Sequence, residues 1–220
     1  MPMKPIAEGK TRLTPALTDD HRSLLSLGML LRVIGSAVAT PELGDVIVYG
    51  GDDAVRRACS RMGAGWRPDP GVGLNGCLGA AFSDAHEEGI DQALFLPADL
   101  PLVTTAMISE FIRAGAGAQV AIAPDRASDG TNALLVDLAV DFPTLLGEAS
   151  FNRHTGQADR LGAVHIVHRS SGLGLDIDTA SDLKRLVEET PHLWDDLRRE
   201  IREAGLESAL PTGPVKERAE

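Results

Sequence analysis

The sequence predicts an α/β fold whose sheet is mixed but mostly parallel and flanked by helices. Three observations carry that reading. Short apolar segments alternate with segments of helical periodicity, helix stops fall on glycine, and two apolar strands run straight into a glycine or an acid. Hydrophobic residues form 43 % of the 220 and charged residues 24 %, enough for the core of one such domain.

Between 14 and 39, Leu17, Leu24, Leu27, Leu30, Leu31 and Ile34 recur at helical spacing, with Thr18, Asp19 and Asp20 as the start. DVIVYG (45–50) is a compact strand. DDAVRRACSRMG (52–63) and NGCLGAAFSDAHEEG (75–89) are helices closed by Gly63 and Gly89. QALFLPAD (92–99) reads as a buried strand ending in an acid, followed by a helix over 104–115. AQVAIAP (118–124), NALLVD (132–137) and AVHIVH (163–168) are further strands. Residues 179–189 form a helix with a Thr179/Asp182 capping box. After Pro191, Leu193, Trp194, Leu197, Ile201 and Ala204 make one apolar stripe on a charged helix, which packs on its own domain or forms a homodimer contact. PTGPVKERAE at the end reads as disordered.

A net charge of −11 argues against a nucleic-acid-binding surface, whose footprint is basic. Cys59 and Cys77 form no C-x-x-C and read as reduced, buried thiols. No apolar run is long enough to span a membrane, and no signal-peptide core precedes the first helix. These features predict a cytoplasmic protein without a membrane partner.

In such a sheet, ligands bind beyond the carboxyl ends of the strands, so the chemistry belongs in the residues that follow them. GVGLNG (71–76) matches a dinucleotide fingerprint. Pro68 and Pro70 interrupt its approach, however, so it reads as a glycine-rich nucleotide loop, with Gly73 and Asn75 near base and ribose. Asp99 follows an apolar strand, well placed to hold Mg²⁺ together with phosphate oxygens. In GLDIDTASDL, Asp176 and Asp178 share one side of an extended segment, and either could join Asp99 on a metal. DGTNALL (129–135) and GEASFNRH (147–154) combine glycine with hydroxyls. Ser150 precedes a helix whose free N–H groups would suit an anion. KPIAEGKTRL (4–13) puts Lys4, Lys10 and Arg12 into a basic hook on an acidic protein, a device for facing an anion. No nucleophile and base pair up, and the six histidines are dispersed.

The ordered motifs K-P-x-x-x-x-K-T-R-L, G-L-N, L-P-A-D-L-P-L, A-P-D-R…G-T-N-A-L, G-x-x-S-F-x-R-H and D-I-D-T-x-x-D-L resemble the guanylyltransferases of coenzyme F-420 biosynthesis, over roughly residues 2–190. The resemblance implies a nucleotidyltransferase domain over 1–190, like that of molybdenum-cofactor guanylyltransferases, with 191–220 as appended helix and tail. It implies GTP and a phosphorylated three-carbon acid as substrates, phosphoenolpyruvate or 2-phospho-L-lactate. Thr131, Gly147 and Ser150 fall on the acceptor-binding positions, and Asp99 and Asp176, with Asp178 beside them, on the metal-binding acids. Lys4, Lys10 and Arg12 would then grip the triphosphate. A different nucleotidyltransferase on this fold, or a silent nucleotide-binding module, would share most of these features. Two departures stand out. Only MPM precedes the K-P motif, where the family has an apolar strand, so the natural start is expected upstream. Glu148 stands where a proline commonly follows the glycine.

Overall fold

The computed structural model describes residues 1–210, and the expected disordered segment 211–220 lies outside them. The chain runs β1 (Pro2–Met3), α1 (Asp19–Val38), β2 (Ile47–Gly50), α2 (Asp53–Met62), β3 (Gly65–Arg67), α3 (Gly73–Glu87), β4 (Gln92–Phe95) and α4 (Thr105–Ala114). It continues through β5 (Val120–Pro124), β6 (Thr131–Asp137), α5 (Ser150–Leu161), β7 (His165–Val167), α6 (Ala180–Glu189) and α7 (Leu193–Glu203). No helix among the described residues is long and apolar enough to cross a membrane.

The starts of α1 and α6 and the end of α2 fall where the sequence places them, and α2 begins one residue later than expected, with Asp52 as its cap. Thr18 accepts the His21 N–H at the start of α1, Asp52 caps α2, and Gly63 closes α2 in the left-handed conformation. Thr179 and Asp182 form the reciprocal capping box of α6.

Two sheets form. In the first, β2 lies between β1 and β3, all parallel; in the second the order is β4-β6-β5-β7. β6 runs antiparallel to both its neighbours, whereas β5 and β7 are parallel. The reversal has a local cause, because only residues 125–130 separate β5 from β6, too few for a crossover. β4 ends at Phe95, short of the expected Asp99, since Pro97 has no N–H to donate to a ladder. The three-residue β3 is too short to show an alternation in sequence. The register slips between Ala123 and Pro124, where Ala133 and Thr131 are the respective partners, so Asn132 is the extra residue of a bulge.

α1 is buried on nearly every side, with Leu25, Leu27, Leu30, Val33 and Ile34 at zero exposure. One cluster joins it to α2, α6 and α7; a second joins its Val33 and Ala37 to α4 and the sheet. Leu193, Leu197 and Ile201 of α7 are buried in the first cluster, so the apolar stripe packs on its own domain. Gly28 permits the approach, because a Cβ there would lie 2.5 Å from Leu197 Cδ2. Arg32 completes the seam with a two-pronged bond to Glu200 at 2.8 and 2.9 Å.

Candidate active site

The basic hook is pinned by its apolar and backbone groups, and its charged side chains line a pocket. Ile6 and Leu13 are buried anchors. The Ile6 N–H donates to Asp52 Oδ2 at 2.9 Å, and the Arg22 guanidinium on α1 donates to the Gly9 carbonyl at 2.8 Å. Lys10 is held in the left-handed region at φ 54°, a strained setting for a side chain with a Cβ.

From there the Lys10 ammonium donates to Asp99 Oδ2 at 2.6 Å and Asp178 Oδ1 at 3.1 Å. Burial opposes its charge, yet the two carboxylates outweigh burial and raise the Lys10 pKa above its ordinary value. Arg12 reaches Asp178 at 3.6 Å and is largely exposed. Lys4, Lys10, Arg12, Gly73, Asp99 and Asp178 line one pocket of about 660 Å³. The hook, the glycine loop and two of the acids thus meet at one site.

Asp176 stands apart from that lining. Leu175 and Ile177 are buried while Asp176 and Asp178 are partly exposed, the alternation expected of an extended segment. Asp176 Oδ1 accepts from Asn132 Nδ2 at 3.1 Å, and burial, with Asp99 and Asp178 adding repulsion, raises its pKa to about 6. Asp99 Oδ1 is buried without a hydrogen-bond partner. An orphaned carboxylate oxygen beside two further acids suits a hard divalent cation. Among the described residues no group of three or more His, Cys, Asp or Glu side chains is placed to hold a metal ion, so a cation at Asp99 would need substrate oxygens to complete its shell.

Gly73 opens α3 at φ +77°, so the third glycine of GVGLNG lies inside the helix rather than at its start, unlike a dinucleotide fingerprint. Asn75 is turned away from the pocket. Its Nδ2 donates to the Leu146 carbonyl at 3.1 Å and its Oδ1 accepts the Leu146 N–H at 2.7 Å, bracing the loop before α5.

Gly147 and Ser150 meet at the start of α5, and Thr131 reaches the same helix one turn further on. Ser150 is the first residue of that helix, not its cap, and the Ser150 N–H donates to the Gly147 carbonyl at 3.0 Å. The Phe151 N–H donates to the Asp129 carbonyl, so the helix start is less open to an anion than its sequence suggests. Gly147 adopts φ +111°, a turn that a side chain would strain. Thr131 Oγ1 lies 2.9 Å from His154 Nδ1, one helical turn beyond Ser150, and both residues are buried. Sequence reasoning missed His154 and Asn132; both stand inside quoted motifs, G-x-x-S-F-x-R-H and G-T-N-A-L, which were the available signal.

Residues 1–192 match the family described as "Guanylyl transferase CofC like". The chain belongs to this family. It is 34 % identical to phosphoenolpyruvate guanylyltransferase of Sphaerobacter thermophilus, over 87 % of this chain and 92 % of that one. The enzyme of the same name from Rubrobacter xylanophilus is 36 % identical, over 84 % and 91 %. The 2-phospho-L-lactate guanylyltransferase of Methanothermobacter thermautotrophicus is 30 % identical, over 85 % and 82 %. Among solved structures, a Desulfovibrio desulfuricans protein described as a nucleotide-diphospho-sugar transferase superposes with a TM-score of 0.72 at 15 % identity, covering 92 % and 94 %. A Methanothermobacter nucleotidyl transferase gives 0.57 at 22 % identity, covering 78 % and 81 %. These likenesses show that the CofC-like chain has a nucleotidyltransferase fold.

Proposed function

We propose that this CofC-like protein transfers a guanylyl group from GTP to the phosphate of a three-carbon acid, phosphoenolpyruvate or 2-phospho-L-lactate, in coenzyme F-420 biosynthesis. The observation that carries the reading is the Lys10 ammonium held by Asp99 and Asp178 inside the pocket that Lys4, Arg12 and Gly73 also line. The family relatives supply the base and the acceptor class.

The acceptor phosphate, with a second pKa near 6, is already anionic at neutral pH. Its oxygen bonds to the GTP α-phosphorus while the bond to the bridging oxygen breaks, and the electron pair leaves with pyrophosphate. No protein base has to remove a proton. The barrier is the approach of two anions in line, which fixed cations relieve. Lys10 has three N–H donors; two are taken by the acids, leaving one for a phosphate oxygen. Lys4 and Arg12 are exposed at the pocket wall and supply charge to the triphosphate and the departing pyrophosphate. Mg²⁺, the divalent ion assigned here, would neutralise phosphate charge while held by Asp99 together with Asp176 or Asp178. Thr131, Gly147 and Ser150 hold the acceptor.

Pyrophosphate release tests the reading, with GTP, ATP and CTP each offered phosphoenolpyruvate, 2-phospho-L-lactate and 3-phosphoglycerate. Release with GTP and one of these acids, with the guanylylated acid seen by mass spectrometry, is expected. No release with any pair overturns the assignment.

A further inference from the structure

His154 is buried at zero exposure, yet both of its ring nitrogens are engaged. Nε2 lies 2.8 Å from the Leu145 backbone nitrogen, which can only donate, so Nε2 must accept. In a neutral ring the proton is therefore on Nδ1, 2.9 Å from Thr131 Oγ1, and Nδ1–H donates to that hydroxyl. Burial foremost, and the Arg153 charge next, lower the His154 pKa to about 4, so the ring is neutral at working pH. Because Thr131 Oγ1 already accepts one proton, its own O–H is left to donate elsewhere.

We propose that His154 is a positioning residue for the acceptor acid. Through its Nδ1–H it fixes the Thr131 hydroxyl as a donor aimed at an anionic oxygen of the acceptor, while Nε2 ties down the 144–147 loop that carries Gly147. The proposal rests on the assignment of Thr131 to the acceptor site. It goes beyond it by naming the group that sets the direction of the Thr131 proton. Thr131 reaches His154 while its neighbour Asn132, the extra residue of the bulge, reaches Asp176. The acceptor cluster and the acid cluster are thereby linked through two consecutive residues.

Two substitutions separate the roles of the two nitrogens. In His154→Asn, the side-chain amide can overlay Nδ1 and keep the donation to Thr131 while losing the loop tie. In His154→Gln, the amide oxygen can overlay Nε2 and keep the loop tie while losing the donation. The KM of the acceptor acid and of GTP would be measured for both, beside Thr131→Val, with phosphoenolpyruvate as acceptor. Expected is an acceptor KM about tenfold higher in His154→Gln than in His154→Asn, with the GTP KM nearly the same in both. An equal or larger rise in His154→Asn overturns the positioning role and leaves a loop brace, with the acceptor site itself intact. An unchanged acceptor KM in Thr131→Val overturns the acceptor assignment and the proposal with it. Nitrogen-15 NMR of histidine-labelled wild-type protein needs no variant to fold. A proton on Nδ1 and none on Nε2 of His154 supports the proposal, and the opposite tautomer refutes it.

Discussion

Lys10 and Asp99, 89 residues apart in the chain, meet at 2.6 Å between ammonium and carboxylate. The pair joins the N-terminal hook to the segment after β4, and Asp178 draws the segment before α6 to the same ammonium at 3.1 Å. One cation thus organises three stretches of chain around the pocket.

Replacing Lys10 by Met removes that cation and keeps most of its apolar stem. The value of kcat/KM for GTP is expected to fall about 10²–10³-fold, the size of losing one preorganised donor to developing charge. Thermal stability should also drop, and added Mg²⁺ should restore more of it than in wild type, because the divalent ion can stand in for the lost charge. Calorimetric scans with and without Mg²⁺ check this.

Asp99→Asn and Asp176→Asn should both lose most turnover, since a neutral amide holds a hard cation poorly. Their stabilities should diverge. Asp99→Asn removes the ion pair with Lys10 and is expected to lose about 1–2 kcal/mol, with the part exposure of Asp99 allowed for. Asp176→Asn removes a charge that burial foremost, and then repulsion from Asp99 and Asp178, disfavours, and should unfold no earlier than wild type. Urea melts without divalent metal separate the two.

Ser150→Ala removes one hydroxyl from the proposed acceptor site. Binding of the acceptor acid should weaken by about 1.5–3 kcal/mol, with GTP binding nearly unchanged. Equal losses for both ligands, read by isothermal titration, would move Ser150 out of the acceptor site.

His154 should leave a mark on stability against pH. Its folded pKa of about 4 lies below the reference 6.5, so between these values the unfolded chain binds a proton that the folded chain does not. Stability is therefore expected to fall as pH drops from about 6.5 toward 4, by about 3 kcal/mol at most. The same melts in His154→Gln should lack this component, whatever Asp176 contributes, because Asp176 is common to both proteins.

The α1–α7 seam offers a test away from the pocket. Leu197 is fully buried against Gly28, so Leu197→Ala should lose about 2–5 kcal/mol of unfolding free energy. Activity per folded molecule should stay near wild type, as neither Gly28 nor Leu197 lines the pocket.

The sequence by itself determined the helices and their stops, the capping box at Thr179 and Asp182, and the buried β5 and β6. Each is encoded within a few residues, by periodicity, a cap or a glycine. It also put Asp99 just past a strand and Lys10 in a basic hook, and the ordered motifs pointed to the family. Only the tertiary structure decided which acid faces Lys10: Asp178 reaches it, whereas Asp176 turns to Asn132. It likewise decided that β6 runs backward, that Asn75 braces a loop, and that His154 meets Thr131. Those outcomes depend on which distant groups are brought within about 3 Å once the chain closes. Spacing along the chain carries no record of that, because His154 and Thr131 touch through a strand, a bulge and a helix that pack only in the folded state.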